Sequence, residues 1–140
     1  MIDCMIVGDS IAVGVANVRT ECVSYSKGGI NSKQWVNQNI GKTPLVAKSV
    51  IISLGSNDHK HINTESELRT IRQLTKADRV YWVLPAGNLK ASEVSIQYIQ
   101  LTIKEIAQEY GDIVLPISKL QKDGIHPSWA GYKDIAEKTR

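Results

Sequence analysis

Short apolar runs alternate with amphipathic segments along the whole chain. Five runs rich in β-branched and aromatic residues predict strands, and each run ends at glycine, proline or polar residues. The predicted strands cover residues 3–7, 21–25, 49–54, 79–84 and 112–117. The segments between and after them predict helices that begin near residues 11, 31, 64, 92 and 127. Five strand and helix pairs in alternation predict an α/β protein, a three-layer α/β/α sandwich around a five-stranded parallel sheet.

Capping signals place the starts of three of these helices. Either Asn31 or Ser32 can cap the second helix. Thr64 and Glu67 have the spacing of a capping box, which predicts Thr64 as the N-cap of the third helix. Pro127 suits the first position of the last helix, because its fixed φ and missing N–H cost nothing there.

Length and composition limit the classes of protein to consider. A chain of 140 residues predicts one domain, residues 1–140, large enough to bury a core. The net charge is +3, and the 17 basic residues form no run, which argues against nucleic acid or an anionic membrane as partner. The sequence shows no signal peptide and no apolar stretch of membrane-spanning length, so we expect a cytoplasmic protein without a membrane span.

Two groups of residues suggest chemistry that we do not expect here. Cys4 and Cys22 each fall in a predicted buried strand, so we expect unpaired thiols that pack as small apolar side chains. Asp58, His59 and His61 could ligate a metal, but residues this close in one loop seldom converge without a third element. We therefore expect no metal and no cofactor.

Three tryptophans are expected to serve packing rather than an aromatic platform: Trp35, Trp82 and Trp129.

Polar or glycine residues follow four of the five predicted strands. These residues are Ser10 after the first strand, Gly28 and Gly29 after the second, Asn57 after the third, and Asp123 with His126 after the fifth. The carboxyl ends of parallel strands meet at the sheet edge where ligands bind, so these residues should converge. Ser10 also lies where the next helix begins, near free N–H groups and a positive dipole end. A serine at this position is most often only a helix cap, so the other loops carry the functional argument.

Each converging residue has a task in acyl transfer. Ser10 would attack a carbonyl, and His126 would take its proton and later return it to the leaving group. Asp123, three residues before the histidine, can reach the imidazole and fix its tautomer. The backbone N–H groups of Ser10 and Gly29, with the side-chain amide of Asn57, would form an oxyanion hole. Neither Asp9 nor Asp58 has a chemical task, and both are expected to act as turn or loop supports.

Four sequence blocks resemble those of the SGNH hydrolases, also called GDSL esterases and lipases. The blocks are Gly8-Asp9-Ser10, the glycines 28 and 29, Gly55-Ser56-Asn57-Asp58, and Asp123-Gly124-Ile125-His126-Pro127. They span residues 8–127 in the order that the family has. The resemblance implies a flavodoxin-like topology, Ser10, Asp123 and His126 as the triad, and Gly29, or else Gly28, with Asn57 as oxyanion donors. The chain is short for the family, which implies that lids and substrate-holding insertions are largely missing.

The expected function is that of a serine esterase that removes short acyl groups, acetyl first, from a small-molecule or carbohydrate ester. A chain this small has little material for a long acyl tunnel. A thioesterase or lysophospholipase is the alternative if an apolar groove flanks Ser10 and Asn57. A non-catalytic carbohydrate-binding relative is a further alternative, whereas residues 8–14 lack the ending of a nucleotide-binding phosphate loop. Association with a virus particle stays open beside a cytoplasmic location.

Overall fold

The computed structural model describes all residues from 1 to 140, and its centre is a parallel sheet of five strands. The strands are β1 (Cys4–Gly8), β2 (Val23–Ser26), β3 (Ser49–Ser53), β4 (Arg79–Leu84) and β5 (Ile113–Pro116). Their order across the sheet is β2-β1-β3-β4-β5, and every neighbouring pair is parallel. The predicted α/β sandwich with flavodoxin-like topology is therefore confirmed.

Helices cover both faces of the sheet. They are α1 (Ser10–Val18), α2 (Ser32–Asn39), α3 (Thr64–Leu74), α4 (Ile96–Tyr110) and α5 (Trp129–Lys138). Helices α1 and α5 pack on the face that Ile6 and Ile51 share, whereas α2, α3 and α4 pack on the face of Met5 and Val50. Strand side chains thus alternate between two apolar clusters, which explains why the strands appear as unbroken apolar runs. No helix in the chain has both the length and the apolar character needed to cross a bilayer.

The second and third helices differ in how well their starts were predicted. Of the two caps predicted for the second helix, Asn31 and Ser32, it is Asn31 that caps α2, and it forms a capping box with Gln34. The prediction of Thr64 as the cap of the third helix was wrong, because Asn63 caps α3 with its side chain. The Thr64 hydroxyl instead turns inward and donates to the carboxylate of Asp58 at 2.7 Å. A buried charged acceptor is a stronger partner for the hydroxyl than a helix end.

The last two helices begin later than their sequence signals indicate. A 3₁₀ turn occupies Lys90–Ser92, and Glu93 then adopts a left-handed conformation with φ of 57°. Helix α4 therefore begins only at Ile96. Pro127 is not the first residue of the last helix, because the side chain of Ser128 caps α5 by accepting from a backbone N–H.

Cys4 and Cys22 form a disulfide, so the prediction of two unpaired thiols was wrong. In the parallel register of β1 and β2, Met5 is the partner of Val23, and the preceding residues on each strand are the cysteines. Their Cα atoms are 4.8 Å apart, within the range that a disulfide spans. Strand order and register decide this pairing, and neither is visible in the local sequence around each cysteine.

The three tryptophans lie in different environments. Trp35 and Trp82 are fully buried in the core between the sheet and helices α2 to α4, as predicted. The prediction was wrong for Trp129, whose surface is 67% exposed. Helix α5 turns Ile135 and Ala136 toward the sheet, and Trp129 begins that helix on its outer side.

Candidate active site

A tight turn at the end of β1 presents Ser10 at the carboxyl edge of the sheet. Gly8 ends the strand with φ of 145°, and a Cβ there would lie 1.8 Å from the carbonyl oxygen of Ser53. Only glycine fits such a close approach of two strands. Ser10 is the first residue of α1, so its backbone N–H is one of the free donors at the positive end of that helix.

Asp9 supports this turn from the interior. It is 1% exposed, and its Oδ1 accepts hydrogen bonds from the Ile11 backbone N–H at 3.0 Å and the Ser53 hydroxyl at 3.1 Å. Its second carboxylate oxygen is buried and has no partner. Burial therefore raises the pKa of Asp9 to about 6, against the smaller lowering effect of its hydrogen bonds. Asp9 caps α1 and ties the turn that carries Ser10 to β3.

The structure brings Ser10, His126 and Asp123 into one hydrogen-bonded line. The Ser10 Oγ lies 2.9 Å from His126 Nε2, and His126 Nδ1 lies 2.6 Å from Asp123 Oδ2. The other carboxylate oxygen of Asp123 accepts from the backbone N–H groups of Ile125 at 2.9 Å and His126 at 3.0 Å. These bonds, that of the Ile125 N–H first, lower the pKa of Asp123 to about 2. An ionised Asp123 accepts from Nδ1–H, which leaves Nε2 free to receive the serine proton.

A surface turn with its own internal hydrogen bonds carries His126 and Asp123. The Gln121 backbone N–H donates to the carbonyl oxygen of His126 at 2.8 Å, and its side-chain amide donates to that of Pro127 at 2.9 Å. Gly124 adopts φ of 71° within this turn, a conformation that favours glycine. The side chains of His126 and Asp123 stay 35% and 41% exposed. Both side chains therefore lie at the open surface.

Asn57 and the glycines that follow β2 lie in two loops that touch each other. The Asn57 side-chain amide donates to the carbonyl oxygen of Ile30 at 3.1 Å, which leaves its second N–H unused. Gly28 and Gly29 form the centre of a turn, and the backbone N–H of neither has an acceptor within the chain. A Cβ on Gly28 would lie 4.0 Å from the Cβ of Ser10, whereas one on Gly29 would have no neighbour within 4 Å. The preference for Gly29 stays a prediction.

Asp58 has a larger role than the turn residue that the sequence suggests. Its backbone N–H does close a turn on Gly55, but its side chain is fully buried. The carboxylate accepts from the Ser32 backbone N–H at 2.8 Å, the Ser32 hydroxyl at 2.6 Å and the Thr64 hydroxyl at 2.7 Å. The sequence offers one signal for this role of Asp58. Ser32 and Thr64 are hydroxyl residues at the starts of α2 and α3, where such residues usually cap the helix.

The two histidines that follow Asp58 do not share a ligand site with it. The rings of His59 and His61 pack edge to face, with centroids 5.8 Å apart, on the outside of the loop. The oxygens of Asp58 are bonded to Ser32 and Thr64 instead. No group of three histidine, cysteine, aspartate or glutamate side chains gathers anywhere in the chain in a way that could hold a metal ion.

No family model matches the chain, and no curated protein matches it in sequence. Solved structures do share its fold. A GDSL-like lipase from Bacteroides thetaiotaomicron superposes with a TM-score of 0.71 at 19% identity, covering 99% of this chain and 89% of that one. A candidate acylhydrolase from Bacteroides fragilis gives 0.71 at 20% identity, covering 97% and 83%. The C-terminal catalytic domain of peptidoglycan O-acetyltransferase A from Streptococcus pneumoniae gives 0.69 at 17% identity, covering 96% and 88%. The chain therefore has the fold of GDSL-like lipases and acylhydrolases.

Proposed function

We propose that this chain is an SGNH-type serine esterase that hydrolyses short acyl esters, acetyl esters first. The observation that carries the proposal is the continuous hydrogen-bonded line from Ser10 through His126 to Asp123. The edge that holds this line also holds free backbone N–H groups and a side-chain amide with an unused N–H. A nucleophile, a base, an orienting carboxylate and donors for an oxyanion are the parts that acyl transfer needs.

Acylation would begin when the Ser10 Oγ attacks the ester carbonyl carbon and its proton passes to His126 Nε2. The carbonyl electron pair moves onto the oxygen, which becomes an oxyanion. The backbone N–H groups of Ser10 and Gly29 and the amide of Asn57 donate to that oxygen. Asp123, ionised because its pKa is about 2, stabilises the imidazolium that forms.

Collapse of this intermediate breaks the bond to the alcohol. The imidazolium of His126 gives its proton to the leaving alcohol oxygen, and the acyl group stays on Ser10. A water molecule then attacks the acyl carbon while His126 takes its proton, and the acid leaves as Ser10 regains its hydrogen. One histidine thus serves as base and acid in both halves of the reaction.

Three observations support a bulky alcohol such as a carbohydrate, and the third also supports an acetyl group. The proton-transfer residues are open to solvent, which leaves room for a large leaving group. Trp129, three residues after His126, exposes an aromatic face of the kind on which sugar rings stack. One protein of the same fold is a peptidoglycan O-acetyltransferase, whose name describes acetyl transfer on a carbohydrate polymer.

The test is hydrolysis of p-nitrophenyl esters from acetate to octanoate, with Ser10→Ala at the same protein concentration. We expect activity that falls with acyl length, and a loss of about a millionfold in the variant, because the triad acts as a unit. Activity that rises with acyl length would support the thioesterase or lysophospholipase alternative. A wild-type chain that neither turns over esters nor reacts with a fluorophosphonate at Ser10 would contradict the proposal and support a carbohydrate-binding protein.

Trp129→Ala separates the alcohol preference from the chemistry. The variant should raise KM for an acetylated oligosaccharide and leave p-nitrophenyl acetate hydrolysis unchanged, because the small ester has no sugar ring to stack. Equal effects on both substrates would argue against a carbohydrate alcohol.

A further inference from the structure

We infer that Asp58 is a positioning residue that fixes the two loops of the oxyanion hole relative to each other. The inference rests on the proposed function, since it concerns the same site. One of these loops runs from Lys27 to Asn31 and carries Gly29, and the other follows β3 and carries Asn57. Asp58 would touch no reacting atom and would act through its neighbours.

The carboxylate of Asp58 is fully buried and accepts three hydrogen bonds from two helix starts. The backbone N–H of Ser32 donates to Oδ1, and the Ser32 hydroxyl donates to Oδ2. Ser32 is the first residue of α2, directly after the loop that carries Gly29. The Thr64 hydroxyl also donates to Oδ2, from the first residue of α3. One carboxylate therefore links the glycine loop, residues 27–31, to the start of α3.

A second hydrogen bond joins the same two loops. The amide of Asn57 donates to the carbonyl oxygen of Ile30, two residues before Ser32. Two consecutive residues of one loop, Asn57 and Asp58, thus bond to Ile30 and Ser32 of the other. A two-point link fixes both the separation and the orientation of the loops. It also sets the plane of the Asn57 amide so that its remaining N–H is held in one direction.

The hydrogen bonds of this link are stronger than those that a simple turn requires. A buried carboxylate is costly unless donors surround it, and charge-assisted bonds to it are roughly twice as strong as neutral ones. An oxyanion hole works because its donors are held in place before the reaction, within about 0.5 Å of the productive geometry. A carboxylate that binds both loops at once supplies such a constraint.

Asp58→Asn keeps the shape of the side chain and removes its charge. We expect kcat for p-nitrophenyl acetate to fall about tenfold to a hundredfold, with KM changed by less than about threefold, because the donors serve the transition state. A lower melting temperature should accompany the loss. Wild-type kcat in the folded variant would overturn the inference.

A matched pair of variants separates positioning from stability. Ser32→Ala and Thr64→Val each remove one hydroxyl that donates to the same oxygen of Asp58. Only Ser32 adjoins the glycine loop. Ser32→Ala should lower kcat severalfold, whereas Thr64→Val should lower kcat by less and act mainly on stability. A kcat loss in Ser32→Ala that is no larger than the loss in Thr64→Val would overturn the inference, even if Asp58→Asn fails to fold.

A double-mutant cycle tests whether Asp58 acts through the oxyanion hole. In the Asn57→Ala background, Asp58→Asn should cost severalfold less kcat than it does in the wild-type chain, because coupled residues are not additive. A purely structural residue would cost the same in both backgrounds. A wild-type chain that hydrolyses esters through Ser10 while the cycle is additive overturns this inference alone. Absence of turnover and of fluorophosphonate labelling overturns the proposed function, and this inference with it.

Discussion

Asp123 and Asp58 each accept three hydrogen bonds, yet they hold their surroundings in opposite ways. All donors to Asp123 lie within three residues of it in the chain, and its side chain is 41% exposed. The donors to Asp58 come from residues 6 and 26 positions away, and its side chain is fully buried. The part of the candidate site that holds Asp123 and His126 is therefore a local surface turn, and the part that holds Asn57 and Asp58 belongs to the tertiary packing.

This difference predicts two kinds of response to mutation. A change at Asp123 should remove activity without unfolding the protein, because all the hydrogen bonds that it accepts are local. A change in the buried link should affect activity and stability together. Variants of Asp123, Asn57 and Asp9 test that contrast.

The largest effect is expected at Asp123. Asp123→Asn keeps the turn but places an amide against His126 Nδ1, which favours the wrong imidazole tautomer. We expect kcat to fall about ten-thousandfold, as loss of the orienting carboxylate does in serine hydrolases. The melting temperature should fall by less than it does in Asp58→Asn, because the Asp123 side chain is 41% exposed and its donors are local. A drop in melting temperature as large as that of Asp58→Asn would show that the surface turn is not independent.

A smaller effect is expected at Asn57. Asn57→Ala removes one oxyanion donor and should lower kcat by about a hundredfold to a thousandfold with the fold intact. Asn63→Ala is the matched control, since Asn63 lies in the same loop and caps α3. The control should lose about 1 kcal/mol of stability and no activity. Full activity of Asn57→Ala on several esters would remove that residue from the site.

The smallest effect concerns the stability of the turn that carries Ser10. Burial raises the pKa of Asp9 from 3.8 to about 6, so the folded state holds this proton more tightly than the unfolded state does. Stability should therefore fall as pH rises from about 4 to 6, and the cost is fully present above pH 6, up to about 3 kcal/mol. Asp9→Asn removes the charge and should be more stable than the wild type in urea at pH 8.

The comparison at low pH gives the control for that effect. At pH 4, where Asp9 is protonated in the folded wild type, the advantage of Asp9→Asn should vanish. Asp3→Asn changes an exposed carboxylate instead and should keep the wild-type pH profile. Parallel stability curves for Asp9→Asn and the wild type would show that the buried charge carries no such cost.

The same contrast explains how far the sequence could lead. The alternation of strands and helices predicted the layers of the fold, since each strand's apolar run reflects burial on both faces. Ser10 and His126 could be placed at one edge because parallel strands deliver their following loops there. Asp123 stands three residues before the histidine, so its contact with the imidazole depends on one turn and little else.

Long-range partners are what the sequence could not supply. Thr64 looked like a cap because a backbone N–H donor of the next turn was the only partner visible, whereas its hydroxyl donates to Asp58 in the folded chain. Cys4 and Cys22 looked like apolar thiols because strand register decides whether they meet. Trp129 looked like a core residue because its identity does not reveal which side of α5 faces the sheet.

The disulfide also changes how the nucleophile would appear in a peptide map. Trypsin cleaves after lysine and arginine, and the first two such sites give the peptides 1–19 and 20–27. Cys4 lies in the first peptide and Cys22 in the second, so an unreduced digest releases them as one cross-linked species. A fluorophosphonate on Ser10 would add its mass to that species, and after reduction to peptide 1–19 alone. One digest, run with and without reductant, thus reports both the reactive serine and the covalent link beside it.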